Sequence, residues 1–220
     1  MPEDLYVPLL LSLKVAGLGT LVAFIFASLL SLVLTRRKGT FPALMDSACT
    51  LPLVLPPTVL GYYLILLVGR HGALGTILAD LGINLIFSLE GAVVAATIVI
   101  FPLIYKTERA ALEQVDPKLE NAARTLGASE LRVFFTISFP LAWKSIFAGL
   151  ILAFARGMGE FGATLMIAGN IKGKTQTLSL AIYDAFQAGD DAKATLLVII
   201  TSVLCVMMLG SAELLVQSKR

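Results

Sequence analysis

The chain has 220 residues, of which 57% are hydrophobic and 15% are charged, and its formal net charge is +2 at pH 7. Soluble domains contain about 25% charged residues, so this composition excludes an ordinary soluble protein and indicates an integral membrane protein. A small positive charge is typical of a membrane protein with basic loops on one side, and it gives no reason to expect a nucleic-acid partner.

Five apolar runs are long enough to cross a hydrocarbon core about 30 Å thick, which takes roughly 20 residues per helix. None of them shows the sustained period-2 alternation of barrel strands, so each is predicted to be a helix. The predicted spans are residues 7–34, 44–68, 85–105, 141–168 and 194–216. The sequence therefore predicts an all-α integral membrane protein with about five transmembrane helices, forming a single transmembrane domain over residues 1–220.

The N-terminus lacks the features of a cleavable signal peptide. Glu3 and Asp4 make it acidic, whereas a signal peptide begins with a positive segment. The apolar run that follows is also longer than a signal-peptide core. We therefore expect the first apolar run to be a transmembrane helix.

The distribution of lysine and arginine predicts the orientation, because cytoplasmic loops are enriched in both. With the loop after the first span placed inside, the inner segments hold eleven basic residues and the outer segments hold four. The inner ones are Arg36, Arg37, Lys38, Lys106, Arg109, Lys118, Arg124, Arg132, Lys144, Lys219 and Arg220; the outer ones are Arg70, Lys172, Lys174 and Lys193. We expect a multi-pass protein of the cytoplasmic membrane, with its N-terminus outside and its C-terminus in the cytoplasm.

A long polar loop, residues 107–139, separates the third and fourth predicted spans. The segment from Lys106 to Lys144 holds 11 of the 32 charged residues. Asp116 followed by Pro117 predicts a helix start, Gly127 predicts its end, and Ser129 predicts a second start. The sequence therefore predicts two short amphipathic helices joined at a glycine, on the cytoplasmic side.

The first of these helices has a narrow apolar stripe, formed by Leu119, Ala122, Ala123 and Leu126 at helical spacing. An ordinary loop folded on the lipid headgroups is one interpretation. Alanine side chains are shallow, however, and they suit close packing against another protein better than insertion into lipid. We expect the loop to be a docking element for a cytoplasmic partner.

Two predicted spans contain residues that membrane helices rarely tolerate. Arg156 and Glu160 lie four residues apart on one face of the fourth span, where a charge costs at least about 2.5–3.5 kcal/mol. Pro52, Pro56 and Pro57 are expected to kink or break the second span. Such features mark either a translocation pathway or a structural contact between helices, and the sequence leaves both interpretations open.

Enzyme chemistry is not indicated. His71 is the only histidine and lies in a predicted outer loop, so neither a base for a serine nucleophile nor a Cys/His metal cluster is expected. The segment from Ala168 to Thr175 departs from a phosphate-binding P-loop, because Ala168 stands at the first glycine position. Cys49 and Cys205 are expected to be free thiols in apolar surroundings. We predict no catalytic residue, metal or cofactor in this chain.

Within the polar loop, the run Glu120-Asn121-Ala122-Ala123, followed by Gly127, Ile137 and Pro140, resembles the EAA loop of ABC-importer permeases. Asn121 and Phe139 depart mildly from that pattern and leave its spacing intact. Residues 51–62, 154–164, 168–170 and 174–178 resemble segments of molybdate permeases and, less closely, of sulfate permeases. The resemblance covers nearly the whole chain.

This resemblance implies a type I ABC importer permease fold and a homodimer with the pathway at its twofold interface. It also implies two cytoplasmic ATPase subunits and an extracytoplasmic binding protein that meets segments 70–84 and 170–191. The residues that would enter a cleft of the ATPase are Glu120, Ala122, Ala123, Arg124, Leu126 and Gly127. The implied cargo is molybdate or tungstate.

Two alternatives remain open: a sulfate-type oxyanion permease and a carrier driven by an ion gradient. Carriers often show internal repeats, and none is evident in this sequence. Moving two negative charges inward against about 100 mV costs roughly 4.6 kcal/mol, so uptake of a scarce dianion favours a dedicated ATPase.

Overall fold

The computed structural model describes residues 2–35, 37, 39–70 and 72–217. The expectations for Arg36, Lys38, His71, Lys219 and Arg220 lie outside these residues. The described chain contains no β-strand and forms eleven α-helices. They are α1 (Pro2–Leu34), α2 (Thr40–Val54), α3 (Pro57–Val68), α4 (Gly75–Asp80), α5 (Leu89–Glu113), α6 (Pro117–Thr125), α7 (Glu130–Val133), α8 (Phe139–Met158), α9 (Gly162–Ala168), α10 (Leu178–Gln187) and α11 (Asp191–Gln217).

Within the described residues, four continuous helices are long and apolar enough to cross a membrane. They comprise Leu5–Leu34, Leu89–Glu113, Glu130–Met158 and Asp191–Leu215. The helices α2 and α3 pass the same test only as a pair, bent by 114° at a short break. Four spans, or five if the bent pair is one span, confirm the predicted number of about five.

The break in the second span lies at the predicted prolines, although not at all of them. Pro52 lies inside α2, whereas Pro56 is the N-cap residue of α3 and Pro57 is its first residue. Neither Pro56 nor Pro57 has an N–H group, so the helical hydrogen bonds cannot continue across them. The uninterrupted apolar run over residues 44–68 is therefore two helices.

The boundaries predicted for the third and fourth spans were wrong. The third span extends to Glu113. The polar residues after Tyr105 remain helical, and the Thr107 hydroxyl donates a hydrogen bond to the Leu103 carbonyl one turn back. The fourth span begins at Glu130, where α7 continues through a π-helical turn (Phe134–Ser138) directly into α8. The second predicted amphipathic helix is thus the start of the fourth span. That span ends at Met158, and α9 is a separate helix.

Small residues allow the central helices to pack closely. The helices α1, α5 and α8 pack against one another, α11 packs against α8, and α3 packs against α9. Ala23, Ala27 and Ala153 are fully buried between large side chains such as Ile100 and Tyr105. Close approach through small residues is the usual way in which membrane helices associate, since lipid supplies little hydrophobic driving force.

Ionic contacts tie α2 to α5. Asp46 of α2 accepts hydrogen bonds from Lys106 Nζ at 2.6 Å and from Arg109 Nη1 at 2.8 Å. Arg109 also donates to Glu113, one turn further along α5, at 2.8 Å. Pro42 is the one buried residue of α2, and the half-buried Met45 and Cys49 add apolar packing against the cluster around Tyr105.

Candidate functional site

The polar loop between α5 and α8 is organised around α6. Asp116 accepts a hydrogen bond from the Lys118 backbone at 2.9 Å, and Pro117 occupies the first helical position. Gly127 ends the turn after α6 with φ +82°, a left-handed conformation that favours glycine. Ser129 then accepts from the Arg132 backbone at 3.4 Å and begins α7. These local features agree with the predicted start and end of the first loop helix.

The two faces of α6 have different environments. Glu120 is only 4% exposed, and it accepts a hydrogen bond from Ser138 Oγ, at the end of the π-helical turn, at 2.9 Å. On the other side Leu119 and Ala122 are exposed, and Leu126 is 88% exposed. The helix is therefore attached to the fourth span through a buried carboxylate and presents apolar side chains outward.

Arg124 joins α6 to the start of α7. Its Nε and Nη2 atoms donate to the two carboxylate oxygens of Glu130 at 2.7 and 3.0 Å, and its Nη1 donates to Asn121 at 2.9 Å. A bidentate arginine–carboxylate pair fixes the orientation of both groups. The hydrogen bonds that Arg124 donates to Glu130 also raise the pKa of the Arg124 guanidinium group. The pair therefore connects α6 to the start of α7 across the glycine turn.

A small polar pocket lies beneath α6, between the loop and the end of α1. Its volume is about 30 Å³, enough for one or two water molecules. Ser31 of α1 and Thr35, the residue after its end, line it together with Glu120, Arg124 and Ser138. The hydroxyl groups of Ser31 and Thr35 have no hydrogen-bond partner in the described part of the chain, so bound water would satisfy them.

Replacement of Ser138 by alanine is expected to loosen α6 without unfolding the spans. The Glu120 carboxylate would lose a donor in a buried position, which costs about 1–3 kcal/mol. Hydrogen exchange of the α6 amides should quicken, while exchange in α5 should stay unchanged. Thr136→Ala is the matched control, since its hydroxyl bonds only to the Arg132 carbonyl in its own helix. Unchanged α6 exchange in Ser138→Ala would show that the Glu120 contact does not hold the loop.

A second feature is a cavity of about 330 Å³ at the break between α2 and α3. Pro52, Leu55 and Pro57 line it from the broken span, and Val99 and Leu103 line it from α5. The remaining lining residues are Leu53, Leu60 and Arg156, and Arg156 is the only charged one among them. The bend thus creates an apolar space that contains a single guanidinium group.

Arg156 is held from behind by a buried carboxylate. Its Nη1 donates to Glu160 Oε2 at 3.0 Å, and the Arg156 side chain is 45% exposed whereas that of Glu160 is 2% exposed. Glu160 Oε1 accepts from the Ala163 backbone at 3.0 Å, and the Glu160 carbonyl accepts from Ser179 Oγ at 2.6 Å. Glu160 is therefore fixed by α9 and by α10, and it orients the arginine.

The structure brings some of the predicted pathway residues together. Pro57 and Arg156 line the same cavity, Glu160 lies behind Arg156, and Pro56 stands at the break without lining the cavity.

Sequence reasoning missed the contacts of Asp46 with α5. Lys106 and Arg109 share one face of α5, which signals a nearby acid, but the sequence does not identify which one.

Among the described residues, no group of three or more His, Cys, Asp or Glu side chains is placed to hold a metal ion. Cys49 and Cys205 are free thiols. The chemistry available to the two features above is thus docking by an apolar helix face and electrostatic attraction by one guanidinium group.

Comparison with known proteins identifies a family match over nearly all of the chain. Residues 17–220 match the family described as "Binding-protein-dependent transport system inner membrane component". The chain is 47% identical over 213 residues to the molybdenum transport system permease protein ModB of Escherichia coli K12, covering 96% of this chain and 93% of that protein. It is 42% identical to ModB of Haemophilus influenzae, covering 90% of this chain and 89% of the relative.

Solved structures with the same fold are transporters. A bacterial alginate ABC transporter, in complex with an alginate pentasaccharide-bound periplasmic protein, aligns with a TM-score of 0.76 at 16% identity, covering 96% of this chain and 77% of that one. An amino acid ABC transporter with histidines aligns with a TM-score of 0.65 at 19% identity, covering 96% and 92%. At these identities the similarity establishes the fold.

Proposed function

Because the chain belongs to the family of binding-protein-dependent transport system inner membrane components, we propose that it is the permease subunit of an ATP-driven importer for molybdate or tungstate. The observation that carries the choice of cargo is the 47% identity, over 96% of the chain, to a molybdenum permease. As a single transmembrane domain over residues 1–220, the chain supplies the route, and ATP hydrolysis belongs to partner subunits.

The loop around α6 is the site at which the ATPase binds. Leu119, Ala122 and Leu126 offer an exposed apolar face, and the Arg124–Glu130 pair makes the loop stiff enough to transmit a displacement. The buried contact between Glu120 and Ser138 connects this face to the fourth span. Closure of two ATPase subunits would therefore move α8, and differential contacts in the two states would couple hydrolysis to alternating access.

The chain works as a homodimer, with the second copy against the side that contains the α2–α3 break. Arg156 is partly exposed there, and a guanidinium group at membrane depth is costly to leave against lipid. The excess of basic residues at the α6 side supports a cytoplasmic position for the loop. An extracytoplasmic binding protein then meets segments 70–84 and 170–191 on the opposite side.

Uptake of labelled molybdate tests this function. The chain is expressed with its cognate ATPase and binding protein in cells that lack their own molybdate importer. We expect saturable uptake that equimolar tungstate inhibits strongly and excess sulfate does not. Equal competition by sulfate would assign the chain to sulfate-type permeases. Uptake that survives inactivation of the ATPase but stops with a protonophore would identify a gradient-driven carrier.

A further inference from the structure

The cavity at the α2–α3 break has the chemistry of a weak anion site. Seven of its lining residues are apolar, and the eighth, Arg156, is the only charged one among the described residues that line it. Its volume of about 330 Å³ is at the lower end of the range for small-ligand pockets. A charged ligand inside it would thus meet one cation and little competing polarity.

The guanidinium group is only partly engaged by the protein. One Nη1 hydrogen bond goes to Glu160, and the other N–H groups of Arg156 have no hydrogen-bond partner among the described residues. Arginine presents its donors in a planar fork that matches two oxygens of a carboxylate, phosphate or similar oxyanion. The free N–H groups are therefore available to two oxygens of a tetrahedral oxyanion.

Glu160 orients Arg156 and weakens its attraction for an anion. Its carboxylate does not line the cavity, and contacts with Ala163 and Ser179 hold the residue in place. The pair is neutral overall but oriented, with the cation toward the cavity and the anion behind it. Such a pair attracts an anion less strongly than an isolated arginine would, because the buried carboxylate opposes part of the field.

On the basis of the proposed function, we propose that Arg156 transiently binds the tetrahedral oxyanion within the membrane. Glu160 keeps this binding weak enough for the oxyanion to leave. A permeation site must bind strongly enough for the ion to enter and weakly enough for it to leave. Arg156 contacts the cargo, and Glu160 is a positioning residue that sets the orientation and strength of Arg156.

The test uses the complete transporter, reconstituted with its ATPase and binding protein in proteoliposomes, with molybdate as the probe. In Arg156→Gln we expect the uptake rate to fall at least tenfold, while stimulation of ATP hydrolysis by the loaded binding protein stays within twofold. Lys144→Gln removes a positive charge from the same helix outside the cavity and should leave uptake unchanged. Arg156→Lys should recover part of the rate.

Equilibrium binding of molybdate to the permease–ATPase complex, without the binding protein, tests the role of Glu160. Glu160→Gln should bind molybdate about tenfold more tightly than the unmodified complex yet transport it more slowly. The double variant Arg156→Gln with Glu160→Gln removes both charges, leaves no unpaired buried carboxylate, and should lose binding. A merely structural role of Glu160 would weaken binding in Glu160→Gln, which would contradict the proposal.

Three outcomes would contradict the proposed role of Arg156. If Arg156→Gln, correctly assembled, transports as fast as the unmodified complex, the site does not exist although the proposed function stands. If the unmodified complex does not transport molybdate, both proposals fail. A defect of Arg156→Gln that appears only in anionic-lipid vesicles, and not in neutral ones, would mean that Arg156 binds lipid phosphate, and it would overturn the inference.

Discussion

Replacement of Leu126 by aspartate is expected to weaken binding of the ATPase at least about 30-fold and to abolish ATP-driven uptake of molybdate. Leu126 is 88% exposed at the end of α6, beside the apolar residues Leu119 and Ala122. A buried apolar residue at the centre of an interface contributes about 2 kcal/mol or more, which corresponds to this factor. An unpaired carboxylate in the same cleft adds a desolvation penalty.

Co-purification of the ATPase with the permease measures this effect directly. The matched control is Leu81→Asp, which places the same charge at another leucine outside the spans, 69% exposed after α4. This control should retain the ATPase, because the proposal puts it on the opposite side of the membrane. Full retention of the ATPase by Leu126→Asp would exclude the exposed face of α6 as the docking surface.

Replacement of Gly61 by valine is expected to destabilise the packing of α3 against α9. A Cβ atom at Gly61 would lie 2.6 Å from Met166 Cβ and 3.2 Å from the Ala163 backbone, so α3 and α9 would have to separate. Overpacking of this kind costs about 1–3 kcal/mol, and a β-branched side chain in a helix adds to it. The denaturant concentration at the midpoint of unfolding, measured in mixed detergent micelles, should fall clearly.

Gly210→Val is the control for this effect, because a Cβ at Gly210 of α11 meets no atom within 4 Å. It should unfold close to the unmodified protein. Combining Gly61→Val with Met166→Gly removes the closest contact and should restore part of the lost stability. Equal stability of Gly61→Val and the unmodified protein would show that α3 does not pack tightly on α9.

Local signals predicted the loop well because capping depends on a few neighbouring residues. Asp116, Pro117 and Gly127 lie where the sequence placed them, and the stripe containing Leu126 was recognised from its spacing. Periodicity shows which residues share a helix face, but not which face becomes covered. The burial of Glu120 against Ser138, eighteen positions away, depends on tertiary packing and was not foreseen.

The positions of helix ends inside the membrane were harder to predict. The run over residues 141–168 is mostly apolar, yet α8 ends at Met158. A polar contact accompanies this end: Glu160 lies outside both helices, and its carboxylate accepts a hydrogen bond from the Ala163 backbone in the first turn of α9. In the same way, polar residues beyond Tyr105 remain in α5 because Asp46 pairs with Lys106 and Arg109. A mean hydropathy over a window of residues does not show which polar side chains have specific partners.

The bend at Pro56 and Pro57 divides the second span between two neighbours. The half formed by α2 is attached to α5, and the half formed by α3 is packed on α9. The ion pairs of α2 lie near the loop end of α5, whereas α3 and α9 pack with the other half of α5. We therefore expect a movement of α5 at its loop end to displace α2 more than α3. A change in the 114° bend would then be expected to change the volume of the cavity beside it. Distances between labels on α2 and α3 would measure the bend directly, without a transport assay.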